Sequence, residues 1–163
     1  MYRMASLCSK SCSYRLSIFL SGLALFIGGL IYILLRPSEH IFFEWFSRAG
    51  LENWVDTARA VSPVLGRLFP DWIIYSLPNG LWAFAYALLI TTIWSGSISS
   101  IKYLWLASMP VLVLGFEFMQ YPGIIPGTFC MQDIALGLAG LSLGIFIGTI
   151  NHKNHNCNEK DFD

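Results

Sequence analysis

Glu117 and Gln120 stand three residues apart in an apolar stretch, so on a helix they share one face, and Asp133 follows across a loop containing Pro122, Gly123, Pro126 and Gly127. A carboxylate at membrane depth costs about 2.5 to 3.5 kcal/mol on insertion scales, so it is kept where it faces protein, water or a ligand. Paired carboxyl groups can do acid-base work if burial raises one proton affinity, and their oxygens suit a divalent cation. Asp71 and Asn79, before and within the preceding apolar stretch, fall at the same end if the segments alternate in direction. The candidate polar pocket is therefore Glu117, Gln120, Asp133, Asp71 and Asn79. Helix caps (Asp71, Asp133), a turn residue (Asn79) and an interfacial side chain (Gln120) are the competing roles, and they need no ligand. Glu117 is the residue such roles explain least. It lies five residues before Pro122, about 7 to 8 Å below the loop, where a carboxylate can still be wetted. No serine or cysteine nucleophile with a histidine base is recognisable beside these groups, so no catalytic residue is assigned. His40 is the only histidine expected on that side, and it suits an exposed surface position.

The elements that would position this set are membrane helices. The chain has 163 residues, 55% hydrophobic and 12% charged, about half the charge of a globular chain. Ten basic residues balance ten acidic ones, which leaves no field for nucleic acid and no polybasic cluster for anionic lipid. Leu16 to Leu35 runs 20 residues without a charge, long enough for a span. A cleaved signal peptide has a shorter apolar core and small residues after it, whereas here Arg36-Pro37 follows. Further spans are expected at about residues 73–94, 102–119 and 134–150, the second broken near Pro78-Asn79-Gly80 and the third kinked at Pro110. Asp133 stands at the expected N-cap of the last span, in which Gly137, Gly140, Gly144 and Gly148 form a ridge for close helix packing. One domain covers residues 16–150, after a polar N-terminal segment, 1–15. A disordered polar tail is expected over 151–163.

Between the first two spans, residues 38–70 change character. Leu51, Trp54, Val55, Ala58 and Val61 fall at helical spacing with Glu52, Asn53, Asp56 and Arg59 opposite. Phe42, Phe43, Trp45 and Phe46 before them, and Trp72 after, suit the headgroup level. The segment is expected to lie on the membrane surface, the alternative being a cap packed on the bundle ends. The fold class is thus all-α, a bundle of four transmembrane helices with an amphipathic interfacial segment between the first and second. With both termini inside, six basic residues face the cytoplasm and four the outside, the arrangement the positive-inside rule favours. His152, His155 and Cys157 in the tail are metal-compatible, but without a matching second cluster no metal or other cofactor is expected. Cys8 and Cys12 fall inside and Cys130 outside, so no disulfide framework is expected.

These residues resemble the VanZ-like family of small bacterial membrane proteins over roughly Asp71 to Gly148. The resemblance rests on Asp71, Glu117-Phe118-Met119-Gln120, Pro126-Gly127, Phe129 to Asp133, and the spaced Gly140 and Gly144. The chain departs from the family pattern where Asp71-Trp72-Ile73-Ile74-Tyr75 replaces Asp-Lys-x-x-His. Thr128 or a neighbour stands in place of a loop arginine, Cys130 in place of the first loop acid, and Gly137 in place of an asparagine. The resemblance implies a cell-envelope role in the bacterial cytoplasmic membrane, in glycopeptide resistance or peptidoglycan-precursor handling. The alternatives are a membrane enzyme acting on a lipid-linked or anionic envelope substrate and a non-catalytic assembly partner of another membrane protein. The partners expected are the bilayer and an envelope small molecule or membrane protein.

Overall fold

The computed structural model describes residues 2–36, 45, 47–60, 62–94, 97–124 and 129–160, excluding the side chains of 2–13, 65 and 152–160. His40, Phe42, Phe43, Phe46, Val61, Pro126, Gly127 and Thr128 lie outside the described residues, as do the side chains of Cys8, Cys12, His152, His155 and Cys157. No strand occurs among the described residues. The helices are α1 (Tyr2–Leu35), α2 (Glu52–Arg59), α3 (Ser62–Leu68), α4 (Asp71–Tyr75), α5 (Leu77–Trp94), α6 (Ile101–Gln120) and α7 (Met131–Lys160). Four stretches are long and apolar enough to cross a membrane: Tyr14–Leu35, Leu77–Trp94, Ile101–Gln120 and Met131–Asn151. The protein is an all-α, multi-pass membrane chain.

Pairings along the spans give their directions. Gly28 meets Trp82, while Arg36 reaches the Tyr75 carbonyl and Asn151 reaches Ser17, so α1 runs antiparallel to α5 and α7. Gly80, Phe84 and Thr91 meet Gly140, Gly144 and Gly148 in the same order, so α5 and α7 are parallel. Helix α6 returns between them, with Val113 beside Gly137 and Ser108 beside Tyr86. The ends of α1 and α6 and the starts of α5 and α7 therefore share one end of the bundle, called here the head end.

Helix α5 is the hub, packed most extensively on α7 and next on α1. Its inward side chains are small: Ala83, Ala85 and Ala87 are buried. Helix α1 answers with Ser17, Ser21, Ala24 and Gly28, all buried at spacings of three and four. On α7, a Cβ at Gly140 would collide with the Gly80 carbonyl oxygen, and one at Gly144 would lie 2.6 Å from the Phe84 carbonyl oxygen. Lipid tails are as apolar as leucine, so close backbone approach and dispersion hold such seams together. Gly137 instead faces α6, where a Cβ would lie 2.6 Å from Val113 Cγ1. The ridge is thus occupied within the chain, and an assembly partner that needed Gly140 and Gly144 would have to displace α5. Met109 and Leu141 complete the core around Ala83, Ala87 and Ile90. The Tyr86 hydroxyl meets Ser108 Oγ at 2.7 Å, and Ser108 donates onward to the Trp105 carbonyl at 2.6 Å.

The structure sharpens one local expectation. The break before the second span falls at Ser76, between α4 and α5, and the helix is continuous through Pro78, Asn79 and Gly80. Pro78 has no N–H for the Ile74 carbonyl four residues back and its ring crowds that oxygen, so the preceding helix closes and a new one starts with Pro78 in its first turn. Helix α7 runs past its apolar stretch through Lys160. No glycine or proline stops the helix there, and Asn151 Nδ2 donates to the buried Ser17 Oγ at 3.1 Å, fixing the helix one residue past its apolar run. Helix likewise extends back through most of residues 1–15, to Tyr2. Helix α6 continues through Pro110.

Helix α2 packs beside α1, with Val55 and Arg59 its only half-buried residues. The apolar residues Leu51, Trp54 and Ala58 are exposed, Trp54 to 78%. Among the described residues, nothing covers most of the apolar face of α2.

Candidate functional site

The head-end site is built by how α6 stops and α7 starts. Past Gln120, Gly123 adopts φ 74° and its N–H reaches the Gln120 carbonyl at 2.9 Å, while Ile124 N–H reaches the Met119 carbonyl at 3.0 Å. This paired closure satisfies the last carbonyls of α6; a side chain other than glycine is strained at that φ. The chain turns over the helix end, and the Tyr121 and Phe129 rings meet edge to face at 5.4 Å. Helix α7 then begins at Met131, with the Cys130 carbonyl accepting the Asp133 and Ile134 N–H groups.

Asp133 is therefore the third residue of α7, and Cys130 occupies the cap position for which the sequence favours Asp133. A carboxylate in the first turn still complements the helix dipole. Cys130 has no side-chain oxygen to cap with, and its own N–H is held from another helix: Glu117 Oε2 accepts it at 3.3 Å. In a capping box the acidic residue at the third helical position reaches back to that N–H; here Glu117 of α6 does so. Glu117 is 6% exposed, and its carboxyl group lies near that of Asp133, with no hydrogen bond between them. Asp133 Oδ1 is buried and has no hydrogen-bond partner among the described residues. Two ionised carboxylates offer each other only acceptors. Facing carboxyl groups can share a proton, pass one to a bound molecule, or hold a divalent cation.

The predicted five separate into tiers. Glu117 and Asp133 come together. Gln120, half-buried, lies one turn beyond Glu117, and Asn79, half-buried, sits in the first turn of α5 at the same end. Asp71 is exposed at the start of α4, a helix packed on α1 and α5, with Pro70 at the cap position and no side-chain cap bond.

Two arginines at the head end carry structural roles that spacing did not reveal. Arg36 donates to the Tyr75 carbonyl at 2.6 Å, closing α4 at the Ser76 break, with its guanidinium 4.8 Å from the Tyr32 ring centre. Arg59 donates to the Ile33 carbonyl at 3.1 Å and the Arg36 carbonyl at 2.8 Å, at the end of α1. Cations there satisfy carbonyls that have no intrahelical donor. The position of Arg36, directly after an apolar run, was the available signal; nothing local singles out Arg59.

No protein-family model matches the chain, and neither a curated protein nor a solved structure matches it.

Proposed function

We propose that the chain works in a bacterial cytoplasmic membrane with both ends in the cytoplasm and its head end outside. There it serves the cell envelope in the way the VanZ-like resemblance implies, by handling a glycopeptide drug or a peptidoglycan precursor. The segment containing α2 and α3 lies at the outer membrane interface beside the site. The observation that carries the reading is Glu117, buried under the loop against Asp133. Such a group is expensive to keep in a membrane helix for packing alone.

Glycopeptide susceptibility of cells expressing the wild type, Glu117→Gln and Asp133→Asn tests it. Glutamine retains an acceptor for the Cys130 N–H and removes the acid, so protection should be lost at unchanged protein abundance. Equal protection by wild type and both variants defeats the reading. A second reading, a membrane enzyme acting on a lipid-linked or anionic envelope substrate, is favoured by the buried Asp133 Oδ1, which has no partner among the described residues. It requires a bell-shaped pH dependence of turnover that Asp133→Asn abolishes.

A further inference from the structure

We infer that α2 is a lipid-docking helix, seated at the headgroup level of a glycerophospholipid bilayer by Leu51, Trp54 and Ala58 and latched there by Arg59. The inference deepens the interfacial placement proposed above by naming the face, the partner and the latch. At 3.6 residues per turn the residues of α2 fall into three sectors. Val55 and Arg59 face α1; Leu51, just before the helix, forms with Trp54 and Ala58 an exposed apolar sector centred roughly 100° away; Asn53, Asp56 and Thr57 fill the remainder, with exposed Glu52 at the border beside Arg59. That is the pattern of a helix lying beside the end of a vertical span, with apolar residues toward the acyl chains and polar ones toward water.

Depth is set by Arg59, whose guanidinium donates to the Ile33 and Arg36 carbonyls at the last turn of α1. Those carbonyls close the Tyr14–Leu35 span, so α2 is tied to the boundary of the hydrocarbon core. The exposed apolar surface continues through Val64 and Leu68 of α3 to Phe69 and Trp72, and tryptophan concentrates at that level. A protein partner fits less well. The sector abuts the end of a membrane span, at the level where lipid already surrounds the helices. Arg48, Glu52, Asp56, Arg59 and Arg67 nearly balance, so docking needs no anionic lipid and zwitterionic phosphatidylcholine suffices.

The test uses the full chain with its four cysteines replaced by serine, reconstituted in phosphatidylcholine vesicles. Nitroxide labels go on Trp54→Cys and Ala58→Cys in one sector and on Asn53→Cys and Asp56→Cys in the other. The expected result is a several-fold higher ratio of oxygen to nickel-chelate collision at 54 and 58 than at 53 and 56. Equal ratios in the two sectors overturn the docking. Shielding of 54 and 58 from both reagents overturns it in favour of a protein cover, such as a second copy. Arg59→Gln should lower the ratio at 54 and 58 while leaving a label on lipid-facing Leu104→Cys of α6 unchanged. Unchanged depth at 54 and 58 in that variant overturns the latch. Depth is read without drug susceptibility and without regard to which leaflet is outer, so these outcomes are independent of those for Glu117.

Discussion

Replacing Gly144 with alanine should separate α5 from α7 and destabilise the bundle, whereas the same change at Gly22 should not. A Cβ at Gly144 would stand 2.6 Å from the Phe84 carbonyl oxygen, 2.8 Å from Ala87 Cβ and 2.9 Å from the Leu88 nitrogen, where ordinary contact begins at 3.4 Å. Two of these atoms are backbone and cannot swing aside. The helices must therefore part by roughly 0.8 Å, and a radial gap of about 0.5 to 1 Å forfeits a quarter to a half of each dispersion well along the seam. The expected cost is that of an overpacked core, about 1 to 3 kcal/mol, or roughly a 5- to 140-fold fall in the folding constant. Gly22 has nothing within 4 Å of the same atom, so alanine there should be neutral or stabilising by about 0.5 to 1 kcal/mol, the helix-interior preference of alanine over glycine. Equilibrium unfolding in mixed micelles titrated with sodium dodecyl sulfate reads the pair directly. Equal stability of Gly144→Ala and wild type, or equal loss at both positions, refutes the tight seam.

Glu117→Ala leaves the Cys130 N–H without its acceptor and should cost about 1 to 3 kcal/mol in the same titration, while Glu117→Gln, which keeps an acceptor, should cost less; indistinguishable midpoints would show that the contact holds nothing together. Tyr86→Phe removes the hydroxyl that meets Ser108 and should lose about 0.5 to 1.5 kcal/mol, with no added loss when Ser108→Ala is combined with it; additive losses would mean the two hydroxyls act separately. In intact cells lacking the native cysteines, Tyr121→Cys, exposed on the loop, should react with a membrane-impermeant maleimide. Glu117→Cys, buried beneath it, should react only after the membrane is dissolved. Labelling of both from outside would contradict the burial, and labelling of neither until lysis would invert the orientation.

That the chain is all-helical, with four stretches able to cross a membrane, was legible because hydropathy is a sum over local residues and a charge-free run has few other uses. The approximate place of Glu117 and Asp133 followed from the same arithmetic. What sequence could not supply depends on which surfaces meet. Asp133 looked like a cap because caps favour aspartate, yet the helix starts two residues earlier, where Glu117 of another helix holds the Cys130 N–H. Pro78 signalled an interruption, but its effect falls on the carbonyl four residues back, so the break lies at Ser76. Leu51, Trp54 and Ala58 were visible as an apolar stripe; that nothing among the described residues covers them is a property of the packing. Arg59 gave no local hint, because its partners are carbonyls more than twenty residues away in sequence.

The tightest seam in the molecule joins α5 to α7, which are not neighbours in the chain. During synthesis α5 enters the membrane before α6 and α7 exist, with Gly80 and the alanines of its other face open. It can settle early on α1, but its glycine-lined side must wait for α7. Nascent chains halted after α6 should therefore be the form that membrane quality control removes, and completion of α7 should mark the point at which the protein becomes resistant to it. A bundle whose hub is closed only by α7 couples survival in the membrane to synthesis having passed that helix.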